Sequence, residues 1–578
     1  MSILNICVSV SLSAAVATTS LAGDFEPASV SSDFGRLVPD GAWAVVYTPS
    51  MNHLVQELMP LARSVDPQAA QGLMMMPMMM QMIATSGEAK DGRPAPPAQF
   101  HLDKPMGLAL GPNNPETGEP SITVILSAKD AGKIQVSGMG GGPSKVVHLT
   151  GTDYLAITTK TFTPGTNANA LCEGMFTADI AINFDQAAVV KAYGPMIEEG
   201  LQSLNIQMPL PAKPTAQQKK QAESQKQMMA YNMKQIRSFL NGFDVWNYGI
   251  DFEATELDLL AQYTLTKGSA IPRMAGSNMQ ALAALCTHVA PDMPMQFVMN
   301  TEGMQAMMDL STGEEAIYPK ATQAKMAQLM PIFLKSMQDI RTGLAGGISF
   351  GDGGIRLAEV MDSKDSAEQI SLTKKAWAAL SNADLGISIK DDPASDGFYV
   401  YNIHIDPDQM MTAFGAAAFQ GMPGSGIDTS AQMKHMMDTL FGGESMQLHL
   451  MTEGDLVGVA VGNDKALAGD VHKLMAKGTK SSRIGEAVSH SWGKPVWAIS
   501  LEVRSLASQF LSVAKAMSGP ARVMLPKTLP EGGPIVFDMV GSSTAKADQI
   551  RLRTDIASWI KFVKQIEAMA ATKGPKAA

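Results

Sequence analysis

The sequence predicts an α+β protein: antiparallel sheets packed by helices, internally duplicated. Three observations predict it. Short β-rich runs are separated by turn residues instead of alternating one for one with helices. Amphipathic stretches lie between groups of these runs. One pattern, a turn, a strand, a capping residue and a helix start, occurs four times, and a search for repetition comes first in reading any long chain.

The first occurrence runs from Val38 to Ala62. Pro39-Asp40-Gly41 signals a turn, and Trp43 to Tyr47 holds branched and aromatic residues suited to a strand. Ser50 offers a capping oxygen, after which Leu54, Leu58 and Leu61 fall on one helical face. The pattern returns at Phe176, Met295 and Val496, with Ile180, Phe297 and Ala498 at the strand positions that answer to Trp43.

Within the first copy, Pro77 is expected to end or kink the helix that enters the run Leu73 to Met82, and Ala84 to Pro105 reads as a connector. Hairpins are expected over Met106–Leu110 with Ser121–Leu126, and over Val146–Leu149 with Tyr154–Thr158. The second copy extends to Met208 and is followed by a Gln/Lys-rich helix start reaching Leu240 and a hairpin from Phe243 to Leu265. A short helix, Met279 to Cys286, leads into the third copy. That copy has a helix over Lys320–Arg341, a hairpin from Ile348 to Val360 and a further hairpin from Leu385 to Ile405. Helices are expected in the Met- and Gly-rich stretch from Met410 to Phe441, then a hairpin over Gln447–Val461 that echoes His148 to Ile157. The last copy closes on a hairpin from Pro534 to Thr554 and a helix striped by Ile556, Ile560, Val563 and Ile566. Residues 36–275 therefore read as a first half of two units, and 288–578 as a second half of two units plus an inserted hairpin.

A chain of 578 residues, 45% hydrophobic, has enough core to fold without a disulfide framework or a metal. Its net charge of -10 argues against nucleic acid, whose phosphates need a basic face. Residues 1–22 read as a signal peptide: an apolar run too short to span a bilayer, ending Ser20-Leu21-Ala22. Residues 23–35 read as a flexible arm. No later run is apolar for about eighteen residues, so no transmembrane segment is expected after the signal. Export leaves Cys172 and Cys286, each just upstream of a recurring strand; they read either as a disulfide or as two small buried hydrophobes.

Several motifs invite chemistry and are answered by plainer readings. The 43 methionines include two clusters that suit Cu(I), Met74 to Met82 and Met433 to Met437 with His435, but methionine also fills cores in place of leucine. Gly138 to Lys145 resembles a phosphate loop spoiled by Pro143. Ser512-Val-Ala-Lys515 lacks its companion motifs, and Gly347-Ile-Ser349-Phe-Gly351 has the spacing of a hydrolase elbow without the strand-to-helix setting. His148 and His449 occupy matching hairpin positions and read as half-buried structural residues. Asp391, Asp392 and Asp396 form an acidic turn without the ligand spacing of a calcium loop. No catalytic, cofactor-binding or metal-binding residue is assigned.

Leu37 to Tyr47 and its three echoes give the chain a resemblance to uncharacterised exported bacterial proteins of the domain-of-unknown-function type. The resemblance implies export and repeated α+β domains, and carries over no catalytic residue. The expected function is that of a non-enzymatic exported scaffold or interaction protein, in the periplasm or at the cell surface, with an unknown protein partner. The alternative is a periplasmic carrier of a lipid or other apolar ligand in a Met/Leu-lined cavity. A hydrolase using Ser349 stands third, and Cu(I) capture fourth.

Overall fold

The computed structural model describes residues 30–81, 85–86, 98–113, 120–135, 145–203, 226, 229–230, 233–311, 320–351, 354–381, 386–392, 398–406, 409, 441–443, 445–480, 482–517 and 528–571. They fall into two units, one within Met1–Gly200, Phe239–Ala270 and Lys546–Lys564, the other within Leu201–Ser238, Ile271–Ala545 and Gln565–Ala578. The proposed signal peptide, the loop 138–144, the Met433–Met437 cluster and the stretch 410–440 lie outside the described residues.

The first unit opens with α1 (Ser32–Arg36), β1 (Ala44–Thr48), α2 (Met51–Val65) and α3 (Pro67–Gln81). Then come β2 (Thr85–Ser86), β3 (Met106–Asn113), β4 (Pro120–Ser127), β5 (Ile134–Gln135), β6 (Lys145–His148) and β7 (Tyr154–Thr158). A 3-10 turn at Ala170–Cys172 leads to β8 (Ile180–Asp185), α4 (Gln186–Ser203), β9 (Phe243–Glu253) and β10 (Glu256–Leu265). The main sheet is antiparallel throughout, in the order β6–β7–β4–β3–β1–β8–β9–β10. β2 and β5 pair separately.

The second unit holds α5 (Met279–Cys286), β11 (Met295–Asn300), α6 (Thr301–Ser311), α7 (Lys320–Asp339), β12 (Ile340–Gly351), β13 (Gly354–Ser363) and α8 (Ser366–Ser381). It continues through β14 (Ile387–Asp392), β15 (Tyr399–Ile405), β16 (Ser445–Glu453), β17 (Leu456–Gly462), α9 (Lys465–Lys477) and α10 (Arg483–Ser489). β18 (Lys494–Glu502), α11 (Val503–Met517) and β19 (Val536–Ser543) complete it. Its sheet is also antiparallel, ordered β14–β15–β16–β17–β13–β12–β11–β18–β19. The last strand, β20 (Asp548–Asp555), belongs to the first unit and pairs with β10 before α12 (Ile556–Ala571). The second half therefore does not run unbroken to the chain's end, as its sequence suggested.

The four recurring runs become β1, β8, β11 and β18, and they pair two by two as neighbours, β1 with β8 and β11 with β18. Each is followed closely by a helix whose first turn is capped by the last residue of the strand or, after β1, by Ser50 two residues on. Ser50 Oγ accepts from His53 N (3.1 Å), Asp185 Oδ1 from Ala188 N (2.7 Å), Asn300 Oδ1 from Gly303 N (2.6 Å) and Glu502 Oε2 from Ser505 N (2.7 Å). A free N–H in the first turn of a helix needs such a partner, so one polar residue at this point both ends the strand and starts the helix.

One face of each sheet is buried across much of its width. In the first unit Val45, Tyr47, Ala109, Ile125, Ala156 and Ala181 belong to one buried core, beneath Phe34 of α1. In the second, Val298, Ala345, Ala358, Val360 and Ala498 pack with Leu282, Leu285 and Ile484 from α5 and α10. Cys172 and Cys286 are buried in these cores as free thiols, one per unit, with burial pushing each thiol up to about 12. They form no disulfide. Each faces a glycine: Gly35 of α1 lies against Cys172, and Gly485 of α10 against Cys286.

Two local expectations are revised. Pro77 does not end a helix but sits inside α3; an exposed helix leaves the carbonyl that proline cannot bond open to solvent, which limits the cost. β12 starts at Ile340, eight residues before the expected strand, because glycines disguised it. A Cβ on Gly343 would lie 2.2 Å from the Met299 carbonyl oxygen and one on Gly347 2.6 Å from Met293 Cβ, so the sequence is glycine-rich here for close packing.

Candidate functional site

Two features stand out once the elements are in place. The first is a chain of polar groups in the first unit. His53, in the first turn of α2, is more than half exposed and holds Nε2 3.3 Å from Asp179 Oδ1. Asp179 is buried just ahead of β8, and its Oδ2 accepts from Phe252 N of β9 (2.8 Å). Its own N–H donates to Asp251 Oδ1 (2.8 Å). Asp251 stands opposite Asp258 on β10, and Asp258 binds Arg551 of β20 through Nε at 3.1 and 3.0 Å, with Nη2 also donating. Burial raises the Asp179 carboxyl against the pull of the Phe252 N–H and His53. Burial also pushes Asp251 up to about 6, with the charges of Asp179 and Asp258 acting the same way and Arg551 opposing. The arrangement can hold or pass a proton, because an exposed imidazole rests on a buried carboxylate.

The second feature is apolar. On the opposite face, beside smaller cores built on Trp43, Val189 and Tyr193 in the first unit and on Tyr401, Val457 and Val459 in the second, β1, β8, β11 and β18 and their neighbours carry large side chains that keep part of their surface exposed. In the first unit Val46, Ile182 and Tyr248 form one row across β1, β8 and β9, and Phe184 with Trp246 and Ile180 with Ile250 lie beside it. In the second unit Met299 stands between Leu344 and Trp497, while Met295 stands between Ile348 and Leu501. Ile499 and Met539 extend that surface to β19. Helices cover it incompletely: Phe510 of α11 meets the ring of Phe350 at 5.1 Å yet remains 48% exposed. In the first unit the charge-free α3 leaves Met74, Met75, Met76, Met78 and Met79 exposed.

The residues singled out in the sequence are scattered. Ser349 is buried inside β12 opposite Arg356 of β13, so the Gly-x-Ser-x-Gly spacing marks a strand and not an elbow. The methionines of α3 advance about 100° per residue around the axis, which disperses Met74 to Met79. His148 and His449 sit on β6 and β16 with burial lowering both imidazoles, and neither ring nitrogen of His449 has a partner. Asp391 and Asp392 are strand residues of β14; Asp396 lies outside the described residues. Ser512 donates to the Ser508 carbonyl and lines an open cleft of about 380 Å³ with Arg504, Leu529 and Glu531. Among the described residues no group of three or more His, Cys, Asp or Glu is placed to hold a metal ion, and no helix is long and apolar enough to cross a membrane.

Sequence reading missed the polar chain. His53 and Asp179 do have a local signal, three residues after one cap and six before another; Asp258 and Arg551 are 293 positions apart and have none. No protein-family model, curated protein or solved structure matches the chain.

Proposed function

We propose that the protein is a non-enzymatic exported scaffold or interaction protein, built from two copies of one strand–cap–helix–hairpin design, which meets its partner through the half-covered apolar faces of its central strands. The observation that carries this reading is a difference between the two faces of β1, β8, β11 and β18: one face lies in a buried core, whereas on the other Ile182, Phe184, Met295, Met299 and Trp497 keep part of their surface exposed at the margin of smaller cores. Contiguous apolar surface beyond a few hundred Å² on a folded protein marks an interaction site. Burying a large apolar side chain completely stabilises by about 1.5–3 kcal/mol, so at most about a third of that remains to be gained at each position.

Duplication is supported by three correspondences. β3, β1, β8 and β9 stand in the same order as β12, β11, β18 and β19. The caps fall at the same offset from the following helix. A cysteine and a glycine exchange places between the helical elements that precede the central strands, Gly35 and Cys172 in one unit, Cys286 and Gly485 in the other. The inserted β14–β15 hairpin is the later copy's addition.

The same faces suit an apolar small ligand, and Met295, Met299 and Met539 favour this second reading because thioethers adapt to irregular shapes. Native mass spectrometry of full-length protein purified from its own host, run beside an assay panel of ester, amide and phosphate substrates, tests both. The scaffold reading expects no turnover and no bound small molecule. Stoichiometric lipid would replace it with the carrier, and turnover would overturn both.

A further inference from the structure

The two copies of the capped joint differ at one point. Three residues after Ser50 stands His53, whose imidazole reaches Asp179, six residues before the Asp185 cap. Three residues after Asn300 stands Gly303, and six before the Glu502 cap stands Val496. There a Cβ on Gly303 would lie only 2.8 Å from Val496 Cγ1, so the helix is seated directly on an apolar side chain. The joint can therefore be made without charge. In the first unit it carries a buried carboxylate, a costly group to place under a helix unless something offsets its desolvation.

We propose that His53 and Asp179 form a proton-controlled latch that holds α2 against the first unit's sheet, drawn tight as the solution passes from mildly alkaline to mildly acid. The groups facing it set the sign. Glu57, one turn along α2, places Oε1 3.9 Å from His53 Nδ1, so both ring nitrogens look onto carboxylates. From β9, Asp251 holds the Asp179 N–H, and behind it Asp258 is bound to Arg551. At the helix start, Asn52 N and Ser50 Oγ donate to the Leu102 carbonyl; Asp103 follows, and Lys104 is held by Asp153. The groups facing His53 are thus mainly carboxylates. A histidine side chain changes charge between about pH 5 and 8. The ion pair is present on the acid side of that change and lost as pH rises through it, leaving the buried Asp179 with its backbone N–H and a neutral ring. Protonation of Asp179 sets the acid limit.

α2 lies against β9. The latch stands on its own geometry and does not require the proposed partner.

Hydrogen exchange of the full-length protein at about pH 6 and pH 8, corrected for intrinsic exchange, tests it at the amides of Leu54 to Val65. Opening of α2 is expected to be about two- to five-fold rarer at the lower pH, the range of a partly exposed ion pair. In an Asp251→Asn background, which removes the neighbouring carboxyl raised to about 6, the difference disappears on adding His53→Gln or Asp179→Asn, and α6, on its Gly303–Val496 joint, shows none in any variant. An unchanged profile in His53→Gln, or an equal pH response in α6, overturns the proposal.

Discussion

Asp258 and Arg551 make the tightest demand on single side chains, a buried bidentate pair between β10 and the last strand of the chain. Arg551→Met removes the bidentate partner of a carboxylate that is 1% exposed, and a loss of about 3–5 kcal/mol in unfolding stability is expected. The double variant Asp258→Leu with Arg551→Met should regain most of it, since an apolar pair of similar volume replaces the ion pair well. Asp251 acts in the opposite sense. Its carboxyl, raised by burial to about 6, is best accommodated protonated, so its contribution is fully present below about pH 4 and lost as pH rises through 6. Asp251→Asn keeps an acceptor for the Asp179 N–H and removes the charge. It is expected to unfold about 1–2 kcal/mol harder than the parent at pH 8, after allowance for solvent screening, and equally at about pH 4. A constant gap at both values would contradict the assignment. None of these residues could be paired from sequence, because a local pattern carries no information about a strand that returns after nearly three hundred positions.

At the scale of the element, the strand-to-helix joint was legible and its physical reason is plain: one polar side chain closes each strand and caps the next helix. Asp185→Ala and Asn300→Ala should each cost about 1 kcal/mol, read as lost protection in α4 and α6 respectively. Glu502→Ala should cost more. Its carboxylate also accepts from Arg504 N and Ile535 N (3.2 and 3.0 Å), and although burial opposes it, these hydrogen bonds hold the carboxyl below its ordinary value. The hairpins over β3–β4, β6–β7, β9–β10 and β16–β17 were legible too, each with its turn residues in place. Less visible were β12, whose glycines answer to neighbours far along the chain, and helices α8, α9 and α10. α9 and α10 follow Asp464 and Ser482, which accept from Ala466 N and Gly485 N, so a cap signal existed there without a matching strand to draw attention to it.

Across the whole molecule, the sequence indicated α+β layers, antiparallel pairing and the hairpin that becomes β14–β15. It did not show that β20 lies on β10, because strands nearly three hundred positions apart leave no local pattern. The candidate surface was legible only in part: alternation within each strand marks two faces, but which face a helix closes depends on helices such as α5 and α10 that fill the core side. The proposal rests on the other face staying open in the native protein. Titration of full-length protein with an environment-sensitive apolar dye, with near-UV circular dichroism recorded in the same samples, tests this most directly. Saturable binding to protein with an unchanged native signal is expected, weakened several-fold by Phe297→Asp or Ile182→Asp. No binding, or binding only as the near-UV signal collapses, would contradict it.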